Sequence, residues 1–226
     1  MSLPLHALLV MAKRPSPGRT KTRLSPPLSP KAAGGLYECF LLDTLDLVRQ
    51  VPDVHKVIAF TPKSASGYFS KLAADFELIP QTGSNLGSRL DNALSYYLLN
   101  GFTQVVIMNS DGPTLPVEYL IKAHKALAQV DVVLGPSEDG GYYLIGLKKP
   151  APRLLRDVHM STPRVTSDTL RIADSLGLRV HLLPGWYDID DVETLDRLLV
   201  DLEQSPRLIA PQTRRYLKQI NMLSTR

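Results

Sequence analysis

The stretch Val105-Val106-Ile107-Met108-Asn109-Ser110-Asp111-Gly112-Pro113 decides the fold class. Four apolar residues run into a polar turn that carries one carboxylate and closes on Gly and Pro. An apolar run that short, ended by turn residues, reads as a buried strand passing into a loop. In open α/β sheets ligands sit outside the carboxyl ends of the strands. Asp111 is therefore placed where a metal or a phosphate is held. Its other reading is a cap for the helix that starts near Pro116, although five residues is a long reach for a cap.

Working outward, His6 to Ala12 reads as a first strand, Val57 to Thr61 as a second and Phe76 to Pro80 as a third. Downstream, Asp131 to Gly135 is a strand, and Asp139-Gly140 ahead of the apolar run Tyr142 to Leu147 is a hairpin signal. Val180 to Leu183 is the last strand. Helices fall between them. One starts at Ser29-Pro30, a good cap and first-turn residue, with Leu36, Phe40, Leu41, Leu45 and Val48 on the face that packs on the sheet. Others run from about Ser64 to Ala74, through Leu90, Leu94, Tyr97 and Leu98, from Val117 to Ala128, and from Val192 to Glu203. Ser161-Thr162-Pro163 reads as cap and first turn of a helix over Arg164 to Leu176, after an irregular Pro150 to Pro163. Pro206 to Arg226 is a basic tail with helical pattern, assigned to surface packing. The alternation predicts an α/β fold, with a mainly parallel central sheet and helices on both faces.

The chain of 226 residues suits one sizeable domain and leaves little room for a second. The single cysteine, Cys39, excludes an internal disulfide, and its apolar helical setting reads as an inert core thiol. Met1 to Ala12 is apolar, but no Lys or Arg precedes the run and it is too short to span a membrane, so a cytoplasmic protein is expected. Net charge is +4, from 26 basic and 22 acidic side chains. The excess is local: Lys13, Arg14, Arg19, Lys21 and Arg23 crowd one loop, and no acid precedes Glu38. That pattern predicts an anionic small ligand rather than a nucleic-acid surface.

Three loops carry chemistry. In Lys13 to Leu24, Gly18 permits a tight turn, Thr hydroxyls donate, and the cations neutralise phosphate; the glycine spacing is not that of a Walker loop. In Gln81 to Leu90, Gln81 offers a donor and an acceptor suited to a nucleobase edge, or is a plain polar loop residue. In Pro136 to Tyr143, Gly140 and Gly141 allow close backbone approach to a ligand, as well as forming the hairpin. Further on, Asp188, Asp190 and Asp191 stand just ahead of a helix. Capping explains one of them, Asp191. Asp111 with Asp188 or Asp190 then offers the one or two carboxylates that Mg²⁺ takes beside ligand phosphates.

Together these loops resemble the nucleotide-diphospho-sugar transferase fold, GT-A, and more closely the small bacterial GT-A-like proteins first known only as a domain of unknown function. The matching stretches are Ala12 to Pro15 with Gly18 to Leu24, Leu86-Gly87, Ser110 to Pro113, Asp139 to Leu144, and Ser161 to Val165. They span nearly the whole chain. The resemblance implies a single Rossmann-like domain over 1–226, with 205–226 as a helical tail. It implies that Lys13, Arg19, Lys21 and Arg23 meet nucleotide phosphates and that Gln81 and Gly87 line the base pocket. Asp111 and Asp190 would ligate Mg²⁺ or Mn²⁺, and Asp139, Gly140, Gly141 and Tyr142 would face a sugar or acceptor. Many GT-A enzymes carry two aspartates at the metal turn; here the first is Asn109.

The main expectation is a metal-dependent glycosyltransferase that uses a nucleotide-diphosphate sugar and a small acceptor, with Asp139 as base and Lys21 and Asp111 at the chemistry. The alternative is a nucleotidyltransferase in which a substrate phosphate attacks the α-phosphorus of a nucleoside triphosphate; the cationic first loop favours this, because a triphosphate carries more charge. A non-catalytic nucleotide-binding module is the third reading.

Overall fold

The computed structural model describes residues 5–224. Seven strands form one sheet: β1 (His6–Lys13), β2 (His55–Thr61), β3 (Glu77–Pro80), β4 (Gln104–Met108), β5 (Val132–Pro136), β6 (Tyr142–Leu147) and β7 (Val180–Leu182). Their order is β3-β2-β1-β4-β6-β5-β7. All neighbouring pairs are parallel except those of β6, which runs against both β4 and β5. The helices are α1 (Pro30–Arg49), α2 (Ser66–Leu72), α3 (Leu86–Leu99), α4 (Val117–Leu127), α5 (Arg153–Arg156), α6 (Val165–Ser175), α7 (Val192–Gln204) and α8 (Pro211–Gln219). Among the described residues no helix is long and apolar enough to cross a membrane.

Successive strand residues point to opposite faces. Leu8 and Val10 of β1 therefore join α1, α2 and α4 in one core, whereas Ala7 and Leu9 join α3, α5 and α6 in the other. All five residues of β4 are buried, the four of its apolar run and Gln104 with them. A third core lies beside the sheet, built from α1, α7, α8 and the segment Tyr187–Ile189. This divides the face expected of α1: Leu41, Leu45 and Val48 meet the sheet, while Leu36 and Phe40 meet the third core. The tail is likewise more than surface packing. Both Asp43 carboxylate oxygens, on α1, accept the first free N–H groups of α8, from Gln212 and Thr213, at 2.9 Å each, and Leu217 is fully buried.

Two helix starts follow the sequence reading and one departs from it. Ser29 caps α1 through Ala32 N at 3.1 Å, and Asp191 caps α7 through Thr194 N at 3.0 Å in a capping box. α6 begins at Val165 with no side-chain cap. Thr162 instead donates to the His159 carbonyl, which turns the chain one step before the helix, and the expected irregular stretch contains the short α5.

His124 of α4 is buried against His6, their rings stacked at 5.6 Å. Its Nδ1 faces the Gln104 side-chain amide oxygen Oε1 at 3.4 Å, and among the described residues its Nε2 has no partner. Burial and the neighbouring His6 pull its pKa from 6.5 down to about 4. A folded pKa below the unfolded value stabilises above pH 6.5 and is lost as pH falls through about 4. This is worth up to about 3 kcal/mol at neutral pH. In urea titrations His124→Gln should lose correspondingly less stability than wild type between pH 6.5 and 4; parallel pH profiles would refute the assignment.

Candidate functional site

From β1 the chain winds outward to β3, then returns to lay β4 on the other side of β1. A crevice opens at such a switch point, outside the carboxyl ends of the two strands. The loop after β1 and the Asn109–Asp111 turn after β4 meet there. A cleft at this place is lined by Lys13, Arg19, Lys21, Arg23, Asp111 and Asp190, together with Tyr37. Six residues expected to hold phosphate or metal are thus brought together.

A hydrogen-bond relay fixes the frame. The Lys13 N–H donates to Tyr37 Oη at 3.1 Å, Tyr37 donates to Ser110 Oγ at 2.9 Å, and Ser110 donates to the Met11 carbonyl at 3.1 Å. It joins α1 to the ends of β1 and β4. Burial, with Asp111 nearby, pushes the Tyr37 phenol up to about 12, so it stays a neutral donor. Tyr37→Phe leaves buried partners unpaired, which costs about 1–2 kcal/mol. Urea denaturation of the variant should show that loss, and an unchanged midpoint would refute the relay.

The cation loop is braced by its own turn: Thr20 exchanges bonds with Ser16 at 3.0 and 3.2 Å, and Lys13 Nζ donates to the Arg19 carbonyl at 2.7 Å. Lys21 follows in the left-handed region, φ 50° and ψ 43°. A non-glycine residue held there costs on the order of 1 kcal/mol and marks a constrained site. Its side chain turns inward, and Nζ lies 2.5 Å from Asp111 Oδ1 and 2.7 Å from Asp190 Oδ1. Burial alone would lower its pKa, but the two carboxylates outweigh that and hold it above the ordinary lysine range. Asp111 is therefore an ion-pair partner; α4 starts from Pro116 with no side-chain cap, so the capping reading falls.

Asp188 stands behind this pair. Its Oδ2 accepts from Asn109 Nδ2 at 2.9 Å and Ser137 Oγ at 3.3 Å, while its buried Oδ1 has no partner among the described residues. Burial first, then the Asp111 charge, push its pKa up to about 7. This also explains Asn109: the amide donates to Asp188, where a carboxylate would repel it. The sequence placed Asp188 among three acids ahead of a helix but could not show which was buried. The signal was Ile189, whose place in the third core turns its neighbours the other way, Asp190 onto the cleft lining and Asp188 into the buried space behind it.

Other expected residues do different work. Both hydrogens of the Gln81 amide are spent on the carbonyls of Ala12 and Ala59, at 3.2 and 2.8 Å, so it ties β3 to β1 and β2 and offers a ligand its oxygen alone. Gly87 is buried in the first turn of α3, where a Cβ would overlap the Leu155 carbonyl of α5; packing against α5 by itself demands the glycine there. Asp139 Oδ1 accepts the Gly141 N–H at 2.9 Å inside the hairpin turn and does not line the cleft. Gly140, at φ 88°, lies against the Pro163 carbonyl, and its own carbonyl accepts the Thr166 N–H at 2.9 Å. The two glycines thus dock the hairpin on the 163–166 segment. The hydroxyl of Tyr142 meets Met160 Sδ at 3.9 Å.

The fold, with the relatives that follow, makes the chain a transferase of the nucleotide-diphospho-sugar transferase superfamily. The 2-phospho-L-lactate guanylyltransferase of Methanobrevibacter smithii is 28% identical over 208 residues, covering 89% of this chain and 85% of its own. A protein of Desulfovibrio desulfuricans G20, provisionally named a nucleotide-diphospho-sugar transferase, has a crystal structure that matches with TM-score 0.89 at 30% identity, over 96% of this chain and 95% of that one. The 4-diphosphocytidyl-2C-methyl-D-erythritol synthase of Anaerococcus prevotii DSM 20548 shares the fold at 13% identity, with TM-score 0.59 over 89% of this chain and 98% of that one. The chain belongs to the family described as uncharacterized proteins conserved in bacteria (DUF2064), whose model matches residues 44–162. The archaeal relative is by name a nucleotidyltransferase, which favours the alternative reading over the glycosyl transfer that was the main expectation.

Proposed function

We propose that the protein is a nucleotidyltransferase joining a nucleoside monophosphate, from its triphosphate, to a phosphorylated small molecule. The observation that carries this is the meeting of the cation loop with Asp111 and Asp190 in one cleft at the switch point, with Asp188 buried behind them. In the reaction, an acceptor phosphate oxygen forms a bond to the α-phosphorus. The bond from that phosphorus to the bridging oxygen breaks, and pyrophosphate leaves with the electron pair. Arg19, Arg23 and Lys13 neutralise the charge of the triphosphate on entry, and Lys21 is within reach of it. A phosphate acceptor arrives already ionised, so this transfer needs no residue in the role expected of Asp139. Glycosyl transfer to a hydroxyl would need one.

The donor set, the carboxylates of Asp111 and Asp190, fits a hard divalent cation such as Mg²⁺ or Mn²⁺, and Asp188 behind it has, among the described residues, a buried oxygen without a partner. Asp111 and Asp190 would hold it, with Asp188 adding charge from behind. When bound it would neutralise the departing pyrophosphate. Among the described residues no group of three or more acidic, His or Cys ligands is already set for a metal; the point between Asp111 and Asp190 is taken by the Lys21 ammonium. The acceptor of the archaeal relative, 2-phospho-L-lactate, is the first compound to test. Pyrophosphate release should appear when a triphosphate and a phosphorylated acid are present together. Nucleoside-diphosphate release from nucleotide sugars, with no pyrophosphate from any triphosphate, would sink the reading.

A further inference from the structure

Lys21 fills the place its carboxylate partners would offer a metal. Nζ sits between Asp111 Oδ1 and Asp190 Oδ1 at 2.5 and 2.7 Å, and its side chain is 5% exposed. The rings of Tyr37 and Phe40 each lie 5.9 Å from it, which supports a cation there. The unpartnered Asp188 Oδ1 is sealed from solvent. An ammonium and a divalent cation cannot occupy the same point between these two oxygens. A metal therefore enters only if Lys21 leaves. Leaving strands a buried charge unless another anion receives it. The mouth of the cleft, with Lys13, Arg19 and Arg23, attracts such an anion.

We propose that Lys21 is an exchangeable counter-ion: without nucleotide it closes the Asp111–Asp190 site to divalent cations, and the incoming polyphosphate draws it out, so that metal and nucleotide enter together. This rests on the nucleotidyl-transfer reading of the same cleft. It gives the strained backbone at Lys21 a purpose, since a residue released from φ 50° returns part of its own cost on moving.

Calorimetric titration tests the exchange. Without nucleotide, Lys21→Met should bind Mn²⁺ at least about tenfold more tightly than wild type, and Lys21→Met combined with Asp111→Asn should lose the gain. If Lys21→Met does not fold, Lys21→Gln, neutral but still a donor, reads the same difference. In wild type, guanosine 5′-[β,γ-imido]triphosphate, with its cytidine counterpart alongside, should bind more tightly with Mn²⁺ than without. Equal Mn²⁺ affinity in wild type and the Lys21 variant overturns the exchange and leaves the transfer reading standing. Nucleotide binding that ignores Mn²⁺ in every variant overturns the transfer reading and the exchange with it.

Discussion

Asp111→Asn should lower kcat for pyrophosphate release at least about a thousandfold, roughly 4 kcal/mol of barrier, while the protein stays folded. The substitution keeps the volume of the side chain and the backbone bond from Ile189 N to the Asp111 carbonyl, at 3.0 Å. Lys21 retains Asp190, and Asp188 loses its nearest like charge. Stability therefore changes little, and the loss falls on the chemistry. Asp139→Asn is the matching control: its oxygen serves the Gly141 N–H inside a turn, an amide oxygen accepts as well, and turnover should stay within about threefold. Steady-state rates on the two variants decide between nucleotidyl transfer centred on Asp111 and base catalysis by Asp139. A collapse of activity in Asp139→Asn alone would return the expectation of a hydroxyl acceptor.

The second large effect is on stability. Gly87→Ala should cost about 3 kcal/mol or more, beyond the usual range for an added methyl. The new Cβ would meet a backbone carbonyl, that of Leu155, which cannot swing aside as a side chain can. To relieve the overlap α5 must move off α3. That strains the ion pair of Arg156 with the buried Asp91 and the bond from Arg156 to Asn92 Oδ1 at 2.6 Å. In a chain of this size the fall in Tm is roughly 6–12 °C. Nucleotide affinity per folded molecule should not change. A variant with normal Tm and weakened nucleotide binding would restore Gly87 to the base pocket.

What could be read in the sequence depended on whether a residue's role was local. The β4 run was legible because a strand with every residue buried leaves an unbroken apolar signature, and its position placed Asp111 at a strand end. The cations after β1 were legible because no acid dilutes them. Asp191 was separable from its neighbours because a capping box is a four-residue event. The local roles of Gly87, Gly140 and Asp139 were not legible, for the opposite reason. The partners that explain the two glycines, Leu155 and Pro163, lie in a stretch that looks irregular in sequence, and a glycine made for packing carries the same letter as one made for a ligand. Asp188 needed the third core, whose members come from both ends of the chain. The two cores on the sheet could be foreseen from periodicity; the third could not, since Leu36 and Phe40 fall within the same apolar pattern as the residues of α1 that face the sheet.

The relay through Tyr37 can close once β4 has been made, but the ion pair of Lys21 with Asp190 joins residues 169 positions apart, and the cap that Asp43 gives α8 spans as far. Contacts of such separation form late, after most of the entropy of closing the chain has been spent. During synthesis the first loop leaves the ribosome long before its acidic partners exist. Five cations stand exposed through that interval, open to any polyanion nearby, including the ribosomal RNA beside them.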